Sequence, residues 1–272
     1  MALKEYLKTK NPKNIGVNYS ENFPLVDGIS KSDYELFYNS MSPEIKKKIV
    51  SAENLGIQWI ETRIELEKKI YKDLVSITQN IINEAFSNKV IKPGVTTTDD
   101  VVWWMREKVL ELKLKTWFHP TVDVQRNKKS DLYAFDGKSK YDIIQPGDLV
   151  HCDFGISYLT LNTDCQQIAY VLKPNEKQAP LFLKNALKDA NKLQNILTGE
   201  FRLDKTGNEI LSNSLRIAKE NGLDPQIYTH PLGTFGHSAG TTIGMWDSQN
   251  GVPIKGDVLM KYNTVYAIEL NN

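Results

Sequence analysis

The chain is short of cysteine, of long apolar runs and of net charge, and each shortage excludes something. Two cysteines, Cys152 and Cys165, in 272 residues leave room for one disulfide at most. The alternatives are a pair of reduced core thiols or one cross-strand bridge, whose geometry is demanding. No run of about 18 apolar residues occurs, so no segment reads as a bilayer-spanning helix. Lysine and arginine number 34 against 33 aspartates and glutamates, a net charge of +1, which gives no electrostatic footprint for nucleic acid or a membrane surface. The opening Met1-Ala2-Leu3-Lys4-Glu5-Tyr6-Leu7-Lys8 is too charged for a secretory signal, and a cytoplasmic location is expected. What is present is ordinary for a globular protein, 40% hydrophobic and 25% charged residues, at a length that suits one large domain or two modest ones.

The most informative stretch runs from Gln145 to Leu172. Pro146-Gly147 marks a turn, and the two β-rich runs after it predict an antiparallel hairpin bent between Tyr158 and Leu159. That register places Asp153 opposite Asp164. It also places Cys152 opposite Cys165 on the other face, because strand side chains alternate. Directly opposed residues have Cβ atoms roughly 4.5–5.5 Å apart. Two carboxylates that close repel unless one is protonated or a cation lies between them. The pair is therefore either two polar residues on a solvated sheet face or half of a metal site. His151, on the same face as Asp153, either orients a carboxylate or simply packs.

Two more residues bear on that choice. Gly236-His237-Ser238-Ala239-Gly240 sets a histidine between glycines, where the backbone can pack closely. Glu269 ends the strand-like run Thr264-Val265-Tyr266-Ala267-Ile268-Glu269, and an acid in such a run needs a partner if it is buried. Asp, Asp, His and Glu together suit Mn, Zn, Co or Fe rather than a thiolate-loving metal.

The order Asp153, ten residues, Asp164, then Gly236-His237 in a glycine-rich turn, then Glu269 on a strand resembles the pita-bread metallopeptidases, most of all the aminopeptidase P and Xaa-Pro peptidase type. The likeness runs from about Ile57 to the end of the chain. It implies an α+β pita-bread fold, with residues 1–50 as a remnant of an N-terminal domain and 51–272 as the catalytic domain lacking its C-terminal strand. It implies that Asp153, Asp164, His237 and Glu269 bind metal, Asp164 bridging two divalent ions (Mn, Zn or Co) in a complete form. The family's fifth ligand is a bridging Glu in a later strand. Its absence here leads to the expectation that this form binds one metal tightly at most and is nearly inactive. The family's proline-specific members place a histidine four residues before the ligand histidine and another seven after it. Relative to His237 those positions are Gly233 and Gly244, or Trp246 with a two-residue insertion. His230 is the candidate catalytic substitute, or else a strand-end histidine.

The rest of the chain reads as scaffold. Asn11 to Asn18 suggests a turn into a short strand, Ser30 or Ser32 a helix cap, and Ser42-Pro43 an N-cap followed by proline at the first helical position. From Ile57 to about Phe86 the apolar spacing predicts one long helix, with Glu61, Arg63, Glu67 and Lys69 on its exposed face. Thr97 or Thr98 caps the next helix. Trp117 to Val124 reads as a strand interrupted by Pro120, with His119 and Asp123 as either cleft or edge residues. Residues 126–142 read as a polar loop over the site mouth, without the substrate-binding histidine that the family often carries there. Helices are expected over Ala179–Leu197 and Lys205–Asn221.

The function implied is that of a metal-dependent aminopeptidase or dipeptidase, with Xaa-Pro specificity as one form, which hydrolyses an N-terminal peptide bond with metal-activated water. The alternative is a non-catalytic pita-bread module that binds peptides or protein partners. The expected partner is a short peptide, with no nucleic acid and no membrane, and a homodimer is left open.

Overall fold

The long apolar periodicity after Ile57 does not make one helix. In the computed structural model, which describes residues 3–126 and 142–272, it makes two, α4 (Glu53–Glu61) and α5 (Glu65–Ala85). The break follows from where Arg63 goes. Its backbone N–H donates to Asn263 O at 2.7 Å. Its guanidinium turns inward, donating to Thr234 Oγ1 at 3.2 Å and to the Ile60 carbonyl. The Glu67 carboxylate then accepts the Ile64 N–H at 2.9 Å and closes the new N-terminus, as a capping glutamate does. Glu61 and Arg63 are consequently buried, not on the exposed face that spacing alone suggested.

Before α4 lie α1 (Leu3–Lys10), β1 (Ile15–Val17), α2 (Lys31–Ser40), α3 (Pro43–Lys46) and β2 (Ile49–Ser51). Ser30 caps α2 by accepting from Asp33 N, and β1 pairs in parallel with β2. Phe23 and Val26 of this segment pack on Ile57 and Ile60 of α4. After α5 come α6 (Thr98–Glu111), capped by Thr97 with Asp100, then β3 (Lys115–Thr116) and β4 (Thr121–Gln125). The expected strand over 117–124 is thus two short strands with Trp117 to Pro120 between them. Of the stretch expected to cover the site mouth, residues 127–141 lie outside the described residues.

Two layers of helix on sheet follow. β5 (Leu149–Phe154) is flanked by β4 and β8 (Cys165–Tyr170), while β6 (Ile156–Tyr158) lies between β3 and β7 (Leu161–Asn162). One face of this region packs on α5 and α6: Val150, Cys152 and Phe154 are fully buried there with Leu74, Ile82 and Met105. The second layer sets α7 (Leu181–Gly199) and α8 (Gly207–Glu220) against β9 (Gln226–Gly233), which pairs with β10 (Gly236–His237) and β11 (Tyr266–Asn271). Leu193, Leu197, Ile210 and Ile227 fill that interface. Each fully buried side chain of this size contributes roughly 1.5–3 kcal/mol. Among the described residues no helix is long and apolar enough to cross a membrane.

Glu61 is the exception inside this frame. It is 2% exposed, and neither carboxylate oxygen has a hydrogen-bond partner among the described residues. Burial pushes its carboxyl from 4.5 up to about 7, against the opposing pull of Lys261. An acid with a raised folded pKa contributes stability that is fully present below its unfolded pKa and lost as pH rises through the folded value. The Glu61 contribution should therefore disappear between about pH 4.5 and about pH 7. Glu61→Gln keeps the shape without the ionisation. Its melting temperature should pull ahead of the wild type on going from pH 5 to pH 8; parallel pH profiles for the two proteins would mean Glu61 pays no burial penalty.

Candidate metal centre

The hairpin carrying the two aspartates forms, with its turn one residue later than the sequence suggests. Tyr158 pairs with Leu161 and Ser157 with Asn162, so the bend is Leu159-Thr160, with Leu159 at φ +54°. Asp153 therefore opposes Gln166, not Asp164, and Cys152 opposes Gln167 while Cys165 opposes Phe154. Both thiols are free. Each residue of one strand shifts by two on the other, so the faces are unchanged and Asp164 becomes a diagonal neighbour of Asp153. The strand changes sheets at Gly155, where a Cβ would drive into the Thr163 carbonyl and the Trp117 indole. Thr163 fixes the bend before Asp164: its carbonyl accepts from Trp117 Nε1 at 2.5 Å, and its hydroxyl lies 2.8 Å from Thr78 Oγ1.

The other side of the cleft is built by alternation on β9 and β11. Pro231 pairs with Tyr266 and Thr229 with Ile268, facing α7 and α8. His230, Tyr228 and Glu269 take the opposite face. β10 folds back along β9, pairing His237 with Leu232. Gly236 adopts φ +73° against the Trp117 ring, a left-handed conformation in a space that holds no side chain.

These elements bring five residues together. His230 Nε2 lies 3.2 Å from Glu269 Oε1 and 3.6 Å from Asp164 Oδ2. His237 Nε2 lies 3.8 Å from the same Asp164 oxygen, and the two imidazole centroids are 4.0 Å apart. Ligand atoms of Asp164, His230 and His237 all lie within 4.8 Å of one another. Burial first, then the charges of Asp164 and Glu269, push the Asp153 carboxyl up to about 7. Burial works against the charge of His230, but its close contacts with the Asp164 and Glu269 carboxylates prevail and raise it to about 9. Burial and the neighbouring His230 lower His237. Asp153 Oδ1 is buried with no partner. Three acids crowded on two imidazoles, with an unmatched oxygen among them, are the donor set for a hard or borderline divalent cation, and the residues fit such an ion.

The remaining sequence candidates divide. His119 is exposed, with its Nδ1 2.7 Å from Arg106 and its ring against Trp103, and it is not part of the cluster. Asp123 and His151 face each other across β4 and β5, on the same face as Asp153. At position 233 a Cβ would stand tight against the Arg63 guanidinium, 3.3 Å away, and at position 244 it would drive into the Ile227 carbonyl. Trp246 packs edge-on to Tyr228, whose ring lies 5.2 Å from His230, forming an aromatic wall beside the cluster. Sequence reasoning missed Tyr228 and Gln166; the alternation along β9 and β8 was the available signal.

With its folded pKa raised, Asp153 contributes stability to the metal-free protein that is lost as pH rises through about 7, where the buried carboxylate ionises. At pH 8 Asp153→Asn should raise the melting temperature of the metal-free protein by a few degrees. A lower melting temperature without metal would place Asp153 among the fold's stabilising groups instead.

A family model, that of metallopeptidase family M24, matches residues 69–271. The structure is similar to that of an X-Pro aminopeptidase from Thermotoga maritima MSB8, with a TM-score of 0.63 and 14% identity over 98% of this chain and 72% of that one. It is also similar to a prolidase from Pyrococcus horikoshii OT3 (TM-score 0.59, 17% identity, 97% and 68% covered) and to an Xaa-Pro dipeptidase from Bacillus anthracis (0.58, 16%, 97% and 66%). No curated protein sequence matches the chain. The fold is the α+β pita-bread fold that the residue pattern implied.

Proposed function

Because this chain belongs to metallopeptidase family M24, we propose that it is a metal-dependent aminopeptidase or dipeptidase that hydrolyses an N-terminal peptide bond, with Xaa-Pro peptides as the first substrates to assay. The observation that carries the reading is the convergence of Asp164, His230, His237 and Glu269, with the buried Asp153 carboxylate, one oxygen of which has no partner, under the charges of Asp164 and Glu269. A bound divalent ion, Mn, Zn or Co, supplies Lewis-acid polarisation of the scissile carbonyl and acidifies water.

The geometry favours an exchange of roles between the two histidines relative to the sequence expectation. The His230 side chain is 5% exposed and reaches two carboxylates, and its Nδ1 donates to Pro231 O at 3.0 Å. That bond commits the proton of the neutral ring to Nδ1 and leaves the Nε2 lone pair for a metal. The His237 side chain is 60% exposed. With His230 as the ligand, His237 stands seven residues later, the spacing at which the proline-specific relatives are expected to carry a further histidine. In this reading Asp153, Asp164, His230 and Glu269 hold the metal. His237 stands at the mouth with its pKa lowered, uncharged near neutral pH, able to donate a hydrogen bond to a substrate carbonyl or take a proton from the reacting groups. Tyr228 and Trp246 exclude water from the His230 side.

The test is a pair of variants. His230→Ala should lose Mn²⁺ binding, whereas His237→Ala should keep it and lose roughly 100-fold or more in kcat, the usual range for a positioned acid–base group. The reverse pattern would restore His237 as the ligand. A wild type that binds Mn²⁺ and peptide without turnover would favour the non-catalytic module.

A further inference from the structure

Asp153 reaches the centre from a sheet face that carries a file of polar side chains. Asp123 on β4 stands opposite His151 on β5. His151 Nε2 lies 3.1 Å from Gln166 Oε1 on β8, and Gln166 Nε2 lies 3.4 Å from Asp153 Oδ2. Gln166 is the residue directly opposite Asp153 in the ladder. The hydrogen-bonded part of the file thus runs imidazole, amide, carboxylate, and ends on one chosen oxygen of Asp153. The other oxygen, Oδ1, is the buried one without a partner.

We propose that Gln166 is a positioning residue for the metal centre: its amide couples His151 to Asp153 Oδ2 and so presents Oδ1 to the ion. This rests on the reading of Asp153 as a metal ligand. The chemistry explains why an amide is suited to the position. A carboxylate pressed by the charges of Asp164 and Glu269 tends to rotate away from them, and a donor on Oδ2 opposes the rotation. A lysine there would supply a donor but compete with the ion as a cation, and a glutamate would add a fourth acid to the crowd. A glutamine donates at one end and accepts at the other. It therefore passes the orientation of His151 to Asp153 without adding charge. Such outer hydrogen bonds to metal ligands are commonly worth about 10- to 100-fold in metal affinity.

The experiment is Mn²⁺ titration of the full chain by calorimetry, with the melting temperature of the metal-free protein as control. Gln166→Met, of similar length and without a donor, should weaken Mn²⁺ about tenfold while the metal-free melting temperature stays near that of the wild type. His151→Phe should weaken it as well. The double variant should bind no more weakly than Gln166→Met, because a relay broken at one link is not broken further at the next. Unchanged affinity in Gln166→Met, or losses that add in the double variant, would overturn the relay while leaving the metallopeptidase reading in place. A wild type that binds no Mn²⁺ would overturn both.

Discussion

Everything near the cleft is arranged around one unfavourable interaction, the crowding of Asp153, Asp164 and Glu269 in a site with little water. Two like charges about 4 Å apart repel by roughly 4 kcal/mol at an effective dielectric of about 20. Without a cation the protein answers with protons. His230 is raised to about 9 by its two acid partners despite its burial, and Asp153 is raised to about 7. A divalent ion would relieve the same repulsion that these protons relieve, so the geometry that destabilises the metal-free cleft would favour binding of a cation. Binding and folding are then coupled, because the ion relieves a strain that the native state alone contains.

Holding such a group requires scaffolding that cannot relax. The clustered side chains come from two separate layers, Asp153 and Asp164 from the one under α5 and α6, His230 and Glu269 from the one under α7 and α8. Strand alternation does the sorting. Val150, Cys152 and Phe154 anchor β5 from behind, Ile227 anchors β9, and Ile268 and Leu270 anchor β11. The seam between layers is closed by polar and aromatic contacts. Asn162 Nδ2 donates to the carbonyls of Gly233 at 2.8 Å and Thr234 at 3.1 Å, and Trp117 is wedged between Thr163 and Gly236. An acid-rich cleft sits between two apolar cores that were filled independently of it.

What the sequence makes legible is whatever depends on local periodicity. The alternation in β5, the caps at Ser30 and Thr97 and the helices α7 and α8 all follow from neighbours in the chain. The faces of the hairpin were legible for the same reason, and its register was not. The turn is made by Leu159-Thr160, which carries no glycine or asparagine to announce a positive φ. The break after Glu61 was hidden because its cause, the pull of Asn263 and Thr234 on Arg63, lies some two hundred residues away in sequence. The clustering of four acids and imidazoles could be anticipated from motif order. Which histidine is interior depended on packing that only the assembled sheets reveal.

The dipeptide His230-Pro231 shows how those levels meet. A residue before proline is held in the extended region by the pyrrolidine ring, which suits His230 to a strand. Proline has no N–H to give to a ladder, and β10 pairs only with Leu232 and Gly233 of β9 before the pairing stops. The Pro231 carbonyl is then shared by two donors, Ser238 N at 2.9 Å and His230 Nδ1 at 3.0 Å. The first ties the segment that carries His237 back onto β9. The second fixes the ring of His230 with Nε2 toward Glu269 and Asp164. A single carbonyl, shared by a backbone and a side-chain donor, thus orients one histidine of the pair and anchors the turn that bears the other.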